Sequence, residues 1–164
     1  CDAFSIPVLP LPNVTGFPAT VESEKNMASA VAKLTYAFAN ATVPKVNVIV
    51  GKAFGSAYVS MNSKSIGADL VYAWPTASVG MMPAENAVKI IYNDEINASD
   101  DAQGLIAEKA AAYAALQTSP ESAAGRGYVD AVIEPESTRQ HLIAAFEMLY
   151  SKRAVRPSKK HSTL

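Results

Sequence analysis

Residues 44–80 constrain the fold of this chain more than any other stretch. An apolar run at residues 45–50 is followed by a glycine-bearing turn, and a second apolar run covers residues 69–74 before Pro75 stops it. Short apolar runs bounded by glycine and proline are typical of strands buried inside a sheet. The stretch therefore predicts two neighbouring buried strands that are connected through a turn.

The turn between the two runs contains Gly51, Gly55, Ser56 and Ala57, and a short helical pattern follows at residues 58–61. The N–H groups in the first turn of a helix have no intrahelical partner and lie at the positive end of the helix dipole. Such groups can bind an anionic oxygen, whether it belongs to a ligand or forms during a reaction. Many α/β turns have this pattern and bind nothing, so these residues alone leave a scaffold role open.

The composition describes a folded protein without a global electrostatic preference. The 164 residues suffice for one domain with a real core, and 49% of them are hydrophobic against 18% charged. The net charge of −1 gives no general attraction to nucleic acid or to membranes. No apolar run approaches the roughly 18 residues of a spanning helix, so we also expect no membrane insertion. The single cysteine, Cys1, fits a reducing compartment and predicts a cytoplasmic protein.

Helices and short strands alternate along the chain, which is typical of a layered α/β fold. The first and last helices carry apolar residues, Leu34 and Ile143 among them, at three- and four-residue spacing, and we expect these faces to be buried. Ser137 and Gln140 form the pattern of a capping box at the start of the last helix. The predicted helices are residues 22–41, 83–92, 102–117 and 137–150, the short strands are residues 4–12, 77–79 and 128–133, and a polar loop covers residues 94–101.

Side chains that could carry chemistry are few. His141 and His161 belong to no cluster of metal-ligating residues, so we expect neither a metal site nor a catalytic histidine. Ser56 lacks the Gly-x-Ser-x-Gly pattern of a nucleophile elbow, which argues against a nucleophilic serine. The basic residues within 151–164 fit a solvated chain end or a site for phosphate-bearing ligands. The residues thus indicate either a backbone anion site without a nucleophile or base, or a simple scaffold.

Residues 43–58 resemble a known family. They read Val-Pro-Lys-Val-Asn-Val-Ile-Val-Gly-Lys-Ala-Phe-Gly-Ser-Ala-Tyr. This run is similar to the second half of biotin-dependent acyl-CoA carboxyltransferases, which include the β subunit of propionyl-CoA carboxylase and the α subunit of methylmalonyl-CoA decarboxylase. Further similar segments follow the family's order along the chain, at residues 1–7, 63–64, 67–69, 73–77, 123–124, 126–130 and 151–153.

The resemblance implies a crotonase-type (ClpP/crotonase) fold, an α/β single domain built of ββα units. Residues 1–150 would form the C-terminal, biotin-side domain, and residues 151–164 would form a basic C-terminal tail. The resemblance also implies an acyl-CoA-binding N-terminal half, a separate carrier protein or domain that holds biotin, and a trimeric or hexameric assembly. Because the chain begins at Cys1 without a methionine, we expect that the front of a longer protein precedes it.

The resemblance assigns roles to the residues of the turn. The backbone N–H groups of Ser56 and Ala57, which follow Gly55, would form an oxyanion hole for the ureido oxygen of biotin. In the family, biotin itself removes the α-proton of the acyl thioester, so no protein base is needed. The substrate-binding residues would be Phe54, Tyr58 and Val59.

The implied activity is carboxyl transfer between biotin and a short-chain acyl-CoA, in a carboxylase or a decarboxylase; the apolar Val59 suits a short apolar acyl chain. Four departures from the family leave the efficiency of biotin chemistry open: Ser56 replaces a glycine, Gly51 an arginine, Thr15 a proline, and residues 18–22 a glycine-rich loop. One alternative is a non-catalytic subunit that keeps the fold and assembles the complex. Another is a different crotonase-type acyl-CoA enzyme, such as a hydratase, which the missing acid/base carboxylate in the turn disfavours. Lys52 fits a ligand contact and a surface ion pair equally.

Overall fold

The computed structural model of the protein describes residues 1–156, which form parallel strands with helices packed against them. Of the predicted basic tail, Lys159, Lys160 and His161 lie outside the described residues. In chain order the elements are α1 (Val21–Asn40), β1 (Val46–Ile49), β2 (Lys52–Phe54), α2 (Gly55–Val59), β3 (Leu70–Ala73), β4 (Ser78–Gly80), α3 (Ala84–Ile91), α4 (Asn93–Ala98), α5 (Ala102–Tyr113), a π-helical turn (Ala114–Thr118), α6 (Pro120–Gly125), β5 (Ala131–Val132) and α7 (Thr138–Met148).

The two buried strands predicted from the apolar runs are confirmed as β1 and β3. They pair in parallel, with Val46 opposite Leu70 and Ile49 opposite Ala73. β5 pairs in parallel with the other edge of β3, so the sheet order is β1-β3-β5. All four residues of β1 are buried, as expected for a strand that is covered on both faces.

A second, two-stranded parallel sheet joins β2 to β4, with Lys52 opposite Ser78 and Phe54 opposite Gly80. The residues of β2 lie in the segment that the sequence predicts as a turn, because a strand of three residues is too short to show a periodicity. The predicted helix at residues 58–61 is also displaced, since α2 begins at Gly55. The order β1-β2-α2 and then β3-β4-α3 gives two ββα units, as predicted.

The predicted N-terminal strand at residues 4–12 is only partly present. Val8 donates its N–H to Pro44 O at 2.9 Å and accepts a hydrogen bond from Val46 N at 3.1 Å. Pro10 and Pro12 accept from β1 and from the residue after it, but they have no N–H with which to continue the ladder. This segment therefore lies beside β1 through an isolated bridge instead of forming a regular strand.

The two long amphipathic helices are present, but their apolar faces are not buried. α1 matches the predicted bounds to within one residue, and the side chain of Thr20 caps it by accepting from Ser23 N at 3.1 Å. No residue of α1 is buried, and Leu34 is 41% exposed. In α7 only Ala145 is buried, and Ile143 is 50% exposed. The expectation of buried faces was wrong because the other elements within residues 1–156 cover these faces only in part, so that Met27, Val31 and Phe146 are half-buried.

Other predictions are corrected by local packing. The polar loop predicted at residues 94–101 contains α4, and the predicted third helix continues from α5 into the π-helical turn. Ser137 does not cap α7; its Oγ donates to Glu134 O at 2.9 Å, because a 3-10 turn runs directly into the helix. None of the helices within residues 1–156 is long and apolar enough to cross a membrane.

The chain after α7 remains attached to the body of the domain. Lys152 Nζ lies 2.8 Å from Asp69 Oδ2 and donates to Val43 O at 3.0 Å. Lys45, which is fully buried, donates from its Nζ to Phe38 O at 2.6 Å near the end of α1. The division into a domain at residues 1–150 and a tail at 151–164 stays a prediction, although its first residues are anchored by Lys152.

Candidate functional site

The turn at Gly55 places the start of α2 against the end of β4. Phe54 still has an extended backbone, and Gly55 then adopts a left-handed φ of +60° at which α2 begins. A Cβ on Gly55 would lie 3.1 Å from the carbonyl oxygen of Met81. Only glycine combines this φ with such a close approach of two backbones at little strain.

The amide groups of Ser56 and Ala57 lie in the first turn of α2. Neither amide has a hydrogen-bond partner within residues 1–156, as expected for the free N–H groups of a helix start. Ser56 is exposed and does not have a positive φ, so a side chain at this position requires no left-handed backbone. The departure from the family's glycine is therefore accommodated without backbone strain.

A cleft of about 600 Å³ opens beside this helix start. Four of the six predicted site residues line it, namely Gly55, Ser56, Tyr58 and Val59. The side chains of Phe54 and Ala57 do not line it and are buried. The ring of Phe54 packs instead against Gly80, where an added Cβ would lie 3.7 Å from Phe54 Cε1.

The back of α2 is fixed by buried polar groups. Asn47, on β1, donates from Nδ2 to Met61 O at 3.2 Å and to Asn62 O at 2.7 Å. Ser60 Oγ donates to Ala57 O at 2.9 Å. These contacts tie the segment that follows α2 to the central sheet, which holds the free amides in one orientation.

Tyr58 is not suited to act as a base. Its side chain is buried, and burial raises the pKa of the phenol to about 12, although the neighbouring Asn47 side chain lowers it in part. The phenol is therefore neutral near pH 7. His141 lies on α7 outside the cleft lining, with its ring edge against Tyr72 and its Nδ1 3.0 Å from Ser137 O.

Another part of the cleft lining comes from the π-helical turn Ala114–Thr118, which the sequence did not predict. Gln117 and Thr118 line the cleft, and an added Cβ on Gly80 would lie 3.0 Å from Thr118 Cγ2. π-Helical turns are rare and are often found at functional sites. The Ser119-Pro120 pair is a helix-start signal that could have revealed α6, but nothing local distinguishes a π turn from an α-helix.

Two cationic side chains, Lys64 and Arg126, also line the cleft. Lys64 Nζ lies 2.7 Å from each carboxylate oxygen of Asp130, so its charge is neutralised. Arg126 donates from Nη1 to Gln117 O at 3.5 Å and from Nη2 to the Gln117 side-chain oxygen. Both residues lie in segments that resemble the carboxyltransferase family, but the sequence alone assigns neither of them a role in the site.

Comparison with known proteins supports the resemblance. The carboxyl transferase domain family matches residues 1–164. The chain is 49% identical over 165 residues to a putative propionyl-CoA carboxylase beta chain of Bacillus subtilis (strain 168). The match covers 100% of this chain and 32% of the Bacillus protein. The chain is 44% identical over 162 residues to the methylmalonyl-CoA carboxyltransferase 12S subunit of Propionibacterium freudenreichii subsp. shermanii, with coverage of 98% and 31%.

Solved structures agree with these sequences. The crystal structure of the transcarboxylase 12S hexamer with methylmalonyl-coenzyme A and methylmalonic acid bound matches with a TM-score of 0.93 at 44% identity, covering 99% of this chain and 31% of that chain. The geranyl-CoA carboxylase beta subunit of P. aeruginosa matches with a TM-score of 0.80 at 25% identity, covering 99% and 32%. The chain thus spans about a third of the length of its relatives. These matches confirm the crotonase-type α/β fold, and the chain belongs to the carboxyl transferase domain family.

Proposed function

We propose that this chain supplies the biotin-side half of an active site that transfers a carboxyl group between biotin and a short-chain acyl-CoA. The observation that carries this proposal is the pair of unpaired amides, Ser56 and Ala57, at a cleft of about 600 Å³. Preorganised N–H donors stabilise an oxygen at which negative charge develops.

The donors present fit biotin. Its ureido carbonyl is an acceptor that two neighbouring N–H groups can bind, and the cleft is within the size range of small-molecule sites. When bound, carboxylated biotin would supply the carboxyl group, and the biotin that remains after its release would take up the α-proton of the acyl thioester. The Ser56 and Ala57 amides would bind the ureido oxygen, and Gly55 would hold them in position against Met81.

The other residues of the cleft would exclude water and position the ligand. Val59 presents an exposed apolar side chain to the cleft, which suits an apolar part of the ligand. The neutral phenol of Tyr58 would neither accept a proton nor repel a developing negative charge. No side chain of this half is required as a general base.

The remaining parts of the enzyme follow from the relatives. Since the chain spans about a third of each relative, we propose an acyl-CoA-binding half and a separate carrier for biotin as its partners. The similar transcarboxylase structure is described as a hexamer. Burial in an oligomer of this kind would cover the exposed apolar faces of α1 and α7. We also propose that the assembled enzyme is located in the cytoplasm.

The test replaces Ser56, whose N–H is one of the two donors. In the enzyme assembled with its partner half, Ser56→Pro removes that N–H and keeps a backbone that the first turn of a helix tolerates. We expect carboxyl transfer from biotin to short-chain acyl-CoAs to fall by about 10²–10³-fold. The matched control, Ser56→Ala, keeps the N–H and should stay within a few-fold of wild type.

Two results would contradict the proposal. Unchanged turnover in Ser56→Pro would remove the oxyanion role of this amide. An intact wild-type assembly that transfers no carboxyl group to or from any tested acyl-CoA would favour a non-catalytic assembly subunit.

A further inference from the structure

Arg126 is the cation of the cleft that lacks an anionic partner. Lys64 is neutralised by Asp130, whereas no carboxylate within residues 1–156 lies within salt-bridge distance of Arg126. Its side chain is exposed at the cleft, and its two observed contacts are to the neutral oxygens of Gln117. A full positive charge therefore remains available at the rim.

The guanidinium of Arg126 contacts the π-helical turn. Its Nη1 and Nη2 donate to the main chain and the side chain of Gln117, the fourth residue of the π-helical turn. Ser122 Oγ fixes the same turn by donating to Leu116 O at 2.8 Å. Thr118, next in the turn, contacts Gly80 at the end of β4, beside the residue that packs on Gly55. The positive charge of Arg126 therefore lies on the part of the cleft lining that connects, through Thr118, Gly80 and Met81, to the start of α2.

We propose that Arg126 binds an anionic group of the ligand, a carboxylate or a phosphate, at the rim of this cleft. An arginine has five N–H donors, so donors remain after the two contacts to Gln117, and its planar fork suits both kinds of oxyanion. The inference rests on the proposed function, because carboxylated biotin carries a carboxylate and acyl-CoA carries phosphates. In this role Arg126 recognises substrate and does not take part in bond making.

The experiment compares Arg126→Met and Arg126→Lys with wild type in the assembled enzyme. The KM values are measured for acyl-CoA, for the corresponding acyl-pantetheine thioester, which lacks the phosphates, and for carboxylated biotin. Arg153→Met, which replaces an exposed arginine after α7 that lies outside the cleft lining, is the matched control. We expect Arg126→Met to raise one KM by about 10-fold or more, as for a hydrogen bond to a charged group, with kcat changed less.

The substrate whose KM rises identifies the anion. A rise for acyl-CoA that is absent for acyl-pantetheine indicates a phosphate, and a rise for carboxylated biotin with either acceptor indicates a carboxylate. Arg126→Lys should lose part of the effect, since it keeps the charge and loses the fork. The KM of wild type should increase with ionic strength more steeply than that of Arg126→Met.

Several outcomes would overturn the inference. They are a KM within two-fold of wild type for all three substrates in Arg126→Met, a KM change equal to that of Arg153→Met, and a fall in kcat and melting temperature without any KM change. A wild-type assembly without carboxyl transfer would refute the proposed function alone. Calorimetry with inorganic pyrophosphate and malonate as probes then decides, and equal Kd values for wild type and Arg126→Met would overturn the inference.

Discussion

Replacing Gly55 by alanine tests the geometry of the whole site. The residue has a φ of +60°, and an added Cβ would lie 3.1 Å from the carbonyl oxygen of Met81. A left-handed backbone costs a non-glycine residue about 1 kcal/mol or more. The contact is with main chain instead of a flexible side chain, so relief requires the end of β4 and the start of α2 to move apart.

Gly127→Ala provides the matched control. Gly127 also has a positive φ, +80°, but an added Cβ there meets nothing within 4 Å. It should therefore show the backbone term alone, about 1 kcal/mol, whereas Gly55→Ala should add about 1–2 kcal/mol for the close contact. The totals, about 1 kcal/mol for Gly127→Ala and about 2–3 kcal/mol for Gly55→Ala, correspond in a domain of this size to losses in melting temperature of roughly 2–4 °C and 4–12 °C.

The two variants should differ more clearly in activity than in stability. Movement of α2 displaces the Ser56 and Ala57 amides, so carboxyl transfer by Gly55→Ala should fall by about 10-fold or more. Gly127 lies between the cleft-lining residues Arg126 and Tyr128, but an added Cβ there meets no atom within 4 Å and displaces no backbone, so Gly127→Ala should retain most activity. Equal losses of melting temperature and of carboxyl transfer in both variants would refute the argument that the Gly55–Met81 approach positions the site.

Three further perturbations test the surroundings of the site. The pKa of Tyr58 is raised to about 12, so its contribution to folded-state stability is complete below pH 10 and is lost as the pH rises toward 12. In Tyr58→Phe, the fall in unfolding free energy across that range should be smaller. One tyrosine that titrates near 12 should also be missing from the ultraviolet titration of this variant. Asp130→Asn removes the ion pair with Lys64 at 2.7 Å; both side chains are partly exposed, so the loss in urea unfolding should stay near 1 kcal/mol, and a loss above 3 would contradict this. Trp74→Phe removes the 2.9 Å hydrogen bond that the indole N–H donates to Thr138 Oγ1 at the start of α7. Calorimetry should show a loss of about 1–3 kcal/mol in the free energy of unfolding. An unchanged melting temperature would count against this contact between the residue after β3 and α7.

Much of the fold follows from local sequence. The apolar runs gave β1 and β3, the spacing of apolar residues gave α1 and α7, and Pro83 marked the start of α3. These signals lie within a few residues of the elements they predict, and burial of β1 and β3 in one sheet leaves little choice of register. The strand β2 and the helix α6 were missed because each is too short to show a period.

Burial of the helices could not be read from their patterns. The apolar stripes of α1 and α7 predict that these faces are covered, but not by which part of an assembly. Leu34 and Ile143 remain largely exposed in residues 1–156. The same pattern fits a helix buried within its own domain and a helix that packs on another subunit.

The sequence by itself indicated the start of the site: an apolar strand run, Gly55 and a helical pattern just after Ser56 and Ala57 predict free amides at a helix start. Only the tertiary structure decided what faces those amides. The cleft beside them is completed by the π-helical turn Ala114–Thr118 and by Arg126, which come much later in the chain and are brought there by the packing of Thr118 on Gly80. Hydrogen bonding at a turn is local, whereas a cleft requires two distant segments to pack against a common sheet, and no spacing within either segment encodes that meeting.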